Sequence, residues 1–400
     1  YNIGQKTKKN KFYKRRIIMP NFYYSPRAET ETSALIRLNS LKFTLNFLSS
    51  TCDPNKAPLI DNILCMMREK TVREILASAS KIVGRDKKSS KIEDDECFLF
   101  EDIESHDSPC GMEEYDEFIR FLGKNWDSPK ISRIKSKILS EAKSEMKFLE
   151  NSRQSDFFGD KIAEMKKFFH LTEGDADVFM FIYLASKNHD FERMCELMHI
   201  ESMGRRTEVG PKIANIKKFT KLGETEIRNA LSKGGALMKF CLLDRDTDIN
   251  KHVTDYLEGF TSEPLSTQFF KKFSGEAVPI EHHACMKEHY ETIEKIIKNR
   301  DEKDCVNILL YGVPGTGKTE FCRSFAKKMG RELYDINKIE DDDRPGQGTR
   351  FRFAALKVCQ STVNTANSIV VIDEADEMLN GLGGKSIFSL FSFNPRNSEK

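Results

Sequence analysis

The sequence predicts an α/β three-layer core in its last hundred residues, preceded by a mostly α-helical region, and three observations carry that expectation. Apolar residues recur at helical spacing early in the chain, as in Leu35, Leu38, Leu41, Leu45 and Ile60, Ile63, Leu64, Met67. Two later runs, Val306-Asn307-Ile308-Leu309-Leu310 and Ile369-Val370-Val371-Ile372, have the length and apolarity of buried strands. The second ends in a polar cluster, and the first leads through a glycine-rich turn into a helical pattern, so strand and helix alternate as an α/β core requires.

Composition sets broad limits. Across 400 residues, 64 Lys and Arg nearly balance 62 Asp and Glu, so a net charge of +2 makes no whole-chain case for nucleic acid or membrane. The ten cysteines are scattered without a C-x-x-C pair, and Cys195, Cys322 and Cys359 fall inside apolar stretches, as thiols do in reducing compartments. A cytoplasmic location is expected, and no run approaches the ~18 apolar residues that span a bilayer.

Residues 1–20 form a basic leader, with Lys6, Lys8, Lys9, Lys11, Lys14, Arg15 and Arg16 before Met19-Pro20; it reads as an unstructured leader or as a nucleic-acid-binding arm. Residues 21–170 read as a helical region interrupted by an acidic loop at 93–117, with a long helical stretch at 129–169. Thr172 is placed to cap a helix over Asp175 to Lys187. Residues 171–260 read as a winged-helix-like module. Pro211 opens one helix, Lys221-Leu222-Gly223 turns, and Glu224 to Leu231 is a second helix. Leu237 to Leu243 and Ile249 to Val253 are then expected as the two strands of the wing.

The segment 205–240 holds nine cations against three acids, so contact with DNA phosphates is electrostatically feasible there, with Arg228 and Asn229 the candidate base readers. Residues 261–300 read as a linker. Within it His282, Cys285 and His289 share a helical face, a spacing that suits zinc, although three ligands on one helix do not close a tetrahedral site.

The turn after the first apolar run is Gly312-Val313-Pro314-Gly315-Thr316-Gly317-Lys318-Thr319, followed by Glu320 and a helix to Met329 closed by Gly330. It fits G-x-x-x-x-G-K-[ST] at every position, in the strand-then-helix context that the motif needs. Gly315 and Gly317 let backbone N–H groups turn toward phosphate oxygens, and the helix N-terminus adds positive potential. Lys318 supplies a point charge to the β- and γ-phosphates, and the Thr319 hydroxyl is placed to ligate Mg²⁺.

Fifty-five residues beyond Lys318, the second run delivers Asp373 and Glu374 at a strand's C-terminal end, where α/β sheets bind ligands. Asp373 suits Mg²⁺, and Glu374 suits the polarisation of an attacking water. That pairing points to ATP hydrolysis. A GTPase would need an Asn-Lys-x-Asp guanine reader after this strand, and Asn337-Lys338-Ile339-Glu340 has the wrong last residue and the wrong place.

With these Walker A and Walker B stretches, residues 275–400 resemble the AAA+ ATPases, and the helix-turn-helix before them resembles bacterial members that carry a winged helix. The resemblance implies a P-loop NTPase core over 301–400 with ATP and Mg²⁺ as cofactors. Phosphates fall to Gly312 through Glu320, the metal to Thr319 and Asp373, and catalysis to Lys318 and Glu374. It further implies a homo-oligomeric ring that remodels a macromolecular partner, a protein above all, with no membrane involved; the alternative is an ATP-switched nucleic-acid-binding regulator. Members that thread polypeptide carry an aromatic pore loop where this chain has Asp341-Asp342-Asp343-Arg344-Pro345-Gly346-Gln347-Gly348. Only twenty-six residues follow Glu374. The sensor, arginine finger and lid of the family do not fit there, so a C-terminally truncated core with poor turnover of its own is expected.

Overall fold

The structure, a computed structural model, describes residues 33–51, 53, 56–86, 112–152, 156–198, 200, 209–283, 286–299, 306–337, 347–364, 367–375 and 378. The basic leader, the acidic loop through 111, Arg205 and Arg206, Cys285 and the interval 341–346 lie outside the described residues. The chain divides into two compact units, Tyr1–Glu31 with Cys52–Glu145 and Thr32–Thr51 with Met146–Lys400.

The early helical periodicity is realised as α1 (Ala34–Ser50), α2 (Ala57–Cys65), α3 (Glu69–Asp86), α4 (Met112–Asn125) and α5 (Ser132–Asn151). In the first unit α2 and α4 cross closely at Gly123, where a Cβ would lie 2.5 Å from the backbone nitrogen of Ala57. Only glycine permits that approach. The Glu145 carboxylate, fully buried, is satisfied by Arg68 at 2.8 Å.

The second unit takes α1 and continues with α6 (Phe157–Phe168), α7 (Glu173–Lys187), α8 (His189–Leu197), α9 (Val209–Thr220) and α10 (Glu224–Ala230). Thr172 caps α7 as expected, in a reciprocal capping box with Asp175. Asp156 accepts from the Leu35 N–H and the Ser33 hydroxyl, both at 2.7 Å, and so caps α1 across 121 residues of sequence. Phe47 stacks on Phe219 at 4.4 Å between ring centroids, joining α1 to α9.

The wing is where the structure departs from expectation. Residues expected as its first strand form α11 (Ala236–Lys239) and a turn, and those of the second enter α12 (Lys251–Leu257); a single antiparallel bridge, Leu243 to Ile249, joins them. The physical reason is burial. Leu242 and Leu243 are adjacent and both fully buried, which a strand with one solvated face does not allow. Ile249, Val253 and Leu257 are buried at helical spacing. Gly235 makes the tight entry to α11, since a Cβ there would lie 2.2 Å from the Asn229 carbonyl oxygen.

The segment expected as a linker carries β1 (Phe270–Lys272) and α13 (Lys287–Lys298), and beyond it lie α14 (Lys318–Lys328), β2 (Glu332–Ile336), α15 (Gln347–Thr362) and β3 (Ser368–Val371). β1 pairs antiparallel with β2 through Phe270 and Ile336, and β2 pairs parallel with β3 through Glu332 and Ser368. Val306 to Leu310, expected as a strand, has no ladder among the described residues. A strand exists only with a neighbour that takes its N–H and C=O groups, and β3 has β2 as its one partner here. Leu310 nevertheless packs with Ile369 on the Ile297, Phe321 and Phe325 cluster, whereas Leu309 is 64% exposed.

An aromatic junction ties the helices to the sheet. Phe269, ahead of β1, lies 5.4 Å from Phe169 after α6 and 5.4 Å from Phe351 on α15, measured between ring centroids. His252 of α12 stands edge-on to both Phe269 and Phe351.

Candidate nucleotide site

The loop before α14 is shaped by three glycines with positive φ: Gly312 at 148°, Gly315 at 83° and Gly317 at 80°. A Cβ at Gly315 would meet nothing within 4 Å, so backbone conformation and not crowding demands glycine there. The Thr316 hydroxyl donates to the Val313 carbonyl at 2.9 Å and closes the turn. The Lys318 ammonium donates to the Gly312 and Val313 carbonyls, each at 3.0 Å, across the loop's open side. These are solvent-exposed contacts, which an anion can displace at small cost. Gly317 is the N-cap of α14, so the free N–H groups of the first helical turn follow directly.

β3 brings the second half of the site. The chain turns immediately after Val371, and Asp373 Oδ2 accepts a hydrogen bond from Thr319 Oγ1 at 3.2 Å. Two hard oxygen donors, 54 residues apart in sequence, thus meet at the start of α14. A hydroxyl and a carboxylate there fit Mg²⁺, which takes few protein oxygens and completes its shell with phosphate and water. The other oxygen of Asp373, Oδ1, accepts from the Glu374 N–H at 2.9 Å.

Glu374 itself has φ of 50°, the left-handed region that a non-glycine residue enters at a cost on the order of 1–3 kcal/mol. What over-determines that backbone is Arg352. From α15, 1% exposed, it donates Nη1 to the Glu374 carbonyl at 2.8 Å and Nη2 to the Asp373 carbonyl.

Of the expected site residues, Gly312 through Thr319 and Asp373 gather around one point. Glu320 is engaged elsewhere: its carboxylate accepts from the Val278 N–H at 3.0 Å and from Arg323 at 3.3 Å, and the Val278 bond, followed by Arg323, holds it below the usual carboxylate range. Its place on the helix fits the loop, but its side chain fastens the segment before α13. Of the expected zinc face, His282 lies in a 3-10 turn (Ile280–His282) and His289 in α13, so the two do not share one helix; their neighbour His283 meets Ser324 at 3.1 Å and stands edge-on to Phe321. No group of three or more His, Cys, Asp or Glu among the described residues is placed to hold a metal.

Two participants escaped the sequence reading. Asp335 on β2 is raised above the usual carboxylate range, by burial first and by the charge of Asp373 in addition. The same two acids, after burial, push the Cys322 thiol up to about 11. Arg352, the other, sits in a helix of mixed residues with no spacing that marks it.

A glycine loop at a helix N-terminus, opposed by a carboxylate at the end of a parallel strand, defines the class of P-loop nucleoside triphosphatases. Residues 308–388 match the model of the ATPase family associated with various cellular activities, AAA, and the chain carries an AAA-family ATPase domain. It is distantly similar to the mitochondrial Lon protease homolog of Mus musculus, at 27% identity over 37% of this chain and 17% of that protein. A similar match is Lon protease 2 of Sorangium cellulosum, at 30% identity over 31% of this chain and 17% of that protein. The matched stretch thus spans about a sixth of the length of either relative. No solved structure matches. Among the described residues no helix is long and apolar enough to cross a membrane.

Proposed function

We propose that this chain binds Mg·ATP through Gly312 to Glu320 and hydrolyses it to drive remodelling of a protein partner, as one subunit of a homo-oligomeric ring. The observation that most supports the reading is the 3.2 Å approach of Thr319 Oγ1 to Asp373 Oδ2, because it joins the two halves of a metal-phosphate site. In this reading the backbone N–H groups of the loop and of the first turn of α14 hold the β- and γ-phosphates. Lys318 leaves its two carbonyls to neutralise the γ-phosphate, and Thr319 and Asp373 hold Mg²⁺, which supplies charge neutralisation. The Glu374 carboxylate accepts a proton from the water whose oxygen attacks the γ-phosphorus as the bond to the bridging oxygen of ADP breaks.

The similar proteins are named proteases, which favours a polypeptide as the partner class. The nucleic-acid alternative has less support. Its wing is helical, and Arg228, the better base reader, is bonded to Glu224 at 2.6 and 2.9 Å.

The test is Glu374→Gln. Binding of a fluorescent ATP analogue should be retained within about threefold, while single-turnover hydrolysis falls by about 10²–10⁴, the usual contribution of a general base. The variant should also hold unfolded casein in an ATP-dependent complex. Hydrolysis unchanged by Glu374→Gln would refute the catalytic reading. Retention of duplex DNA that weakens steeply with salt, without retention of casein, would favour the regulator.

A further inference from the structure

A buried arginine needs a reason. Transferring a guanidinium from water is costly unless its donors are taken up, and it usually pairs with a carboxylate. Arg352, 1% exposed, directs two donors at main-chain carbonyls, those of Asp373 and Glu374. These are the two residues on which the candidate site turns. A planar guanidinium presents parallel N–H groups in a rigid fork, so it fixes the spacing and tilt of two successive peptide units in a way that a point charge does not.

The rest of the geometry shows what that fork controls. Glu374 has φ of 50° and directly follows Asp373, whose side chain already spends one oxygen on the Glu374 N–H and the other on Thr319. With both carbonyls held by one guanidinium, the direction in which the Glu374 side chain leaves the backbone is set. The arginine in turn cannot drift: its neighbour Phe351 stacks on Phe269 at 5.4 Å and 21° and meets His252 edge-on. α15 is therefore anchored to the helices of the same unit at the residue beside the fork.

We infer that Arg352 is a positioning residue for ATP hydrolysis, holding the Asp373–Glu374 turn through its two carbonyls so that the Glu374 carboxylate faces the γ-phosphate. This rests on the reading of Glu374 as general base. In this role Arg352 acts through the main-chain carbonyls of Asp373 and Glu374. It also makes α15 the element through which the helices can reach the catalytic turn.

The experiment is single-turnover hydrolysis of radiolabelled ATP by the full chain, with protein in excess, for wild type, Arg352→Met, Arg352→Lys, Glu374→Gln and the double variant Arg352→Met/Glu374→Gln. The maximal rate and the protein concentration giving half of it are read separately. If wild-type hydrolysis does not depend on Glu374, the catalytic reading fails and the inference falls with it. If it does, Arg352→Met should lower the maximal rate by about 10- to 100-fold, the range for a misplaced catalytic group, with half-saturation changed less than about threefold. The double variant should be no slower than Glu374→Gln alone, because a group that acts through Glu374 has nothing left to aim. Arg352→Lys, with charge but no fork, should fall between Met and wild type.

A wild-type rate in Arg352→Met, a loss confined to half-saturation, or a full multiplicative loss on the Glu374→Gln background would each overturn the inference and leave the catalytic reading standing. Should Arg352→Met fail to give a cooperative unfolding transition, Arg352→Lys decides: a lowered maximal rate with unchanged half-saturation supports the role, and a wild-type rate refutes it.

Discussion

Protonation of His252 is the clearest way to strain the junction between the helices and the sheet. Its ring stands edge-on to Phe269 and Phe351, and its Nε2 is buried with no hydrogen-bond partner. Burial lowers its pKa from 6.5 to about 4, with the charge of Asp255 opposing the shift only in part. A base whose folded pKa is depressed takes up its proton more readily when the chain unfolds, so stability is present above the unfolded value and is lost as the pH falls from 6.5 toward 4. Taking those two values, lowering the pH from 7.5 to 5.5 should cost about 1.3 kcal/mol from this residue alone. His252→Phe keeps an aromatic ring and removes the titration. Urea unfolding of both proteins, followed by far-UV circular dichroism at the two pH values, separates this residue from the other histidines by difference. Wild type should lose about 1.3 kcal/mol more than the variant between the two pH values. An equal loss in both proteins would refute the argument, because it would mean that the ring is already solvated in the folded chain.

Two other outcomes follow from the geometry. Thr319→Ala removes the hydroxyl that meets Asp373 at 3.2 Å, and it should lower the apparent affinity for Mg²⁺ by about tenfold while metal-free binding of the ATP analogue stays within twofold; magnesium titrations of analogue fluorescence check this. Gly235→Ala would place a Cβ 2.2 Å from the Asn229 carbonyl oxygen, against backbone that cannot swing away, so the α10 to α11 turn must move. A loss of about 1–3 kcal/mol in urea unfolding is expected, and a neutral result would mean that α11 is not entered as described.

Legibility from sequence divided along physical lines. Thr172, Gly317 and Gly330 act on their immediate neighbours, so the start of α7 and both ends of α14 could be placed from local residues alone. The wing could not. Leu237 to Leu243 is apolar and β-compatible as a string, and only the adjacent burial of Leu242 and Leu243 turns it into helix and turn. The helical spacing of Ile249, Val253 and Leu257 is present in the sequence, but Ile249 to Val253 is short enough to suit a strand as well. β1 is three residues long, below what periodicity can register, and its existence depends on β2.

In the site the same division holds. The glycine loop, the cation after it and the two acids at the end of the second apolar run were legible in the residues themselves, because a glycine turn leading into a helix N-terminus is a property of one continuous stretch. The tertiary fold alone sets Thr319 beside Asp373 and aims the Arg352 guanidinium at the carbonyls of Asp373 and Glu374. Those contacts join residues 21 to 54 positions apart, and their energies come from burial and from donors meeting carbonyls across the fold, which no local spacing encodes.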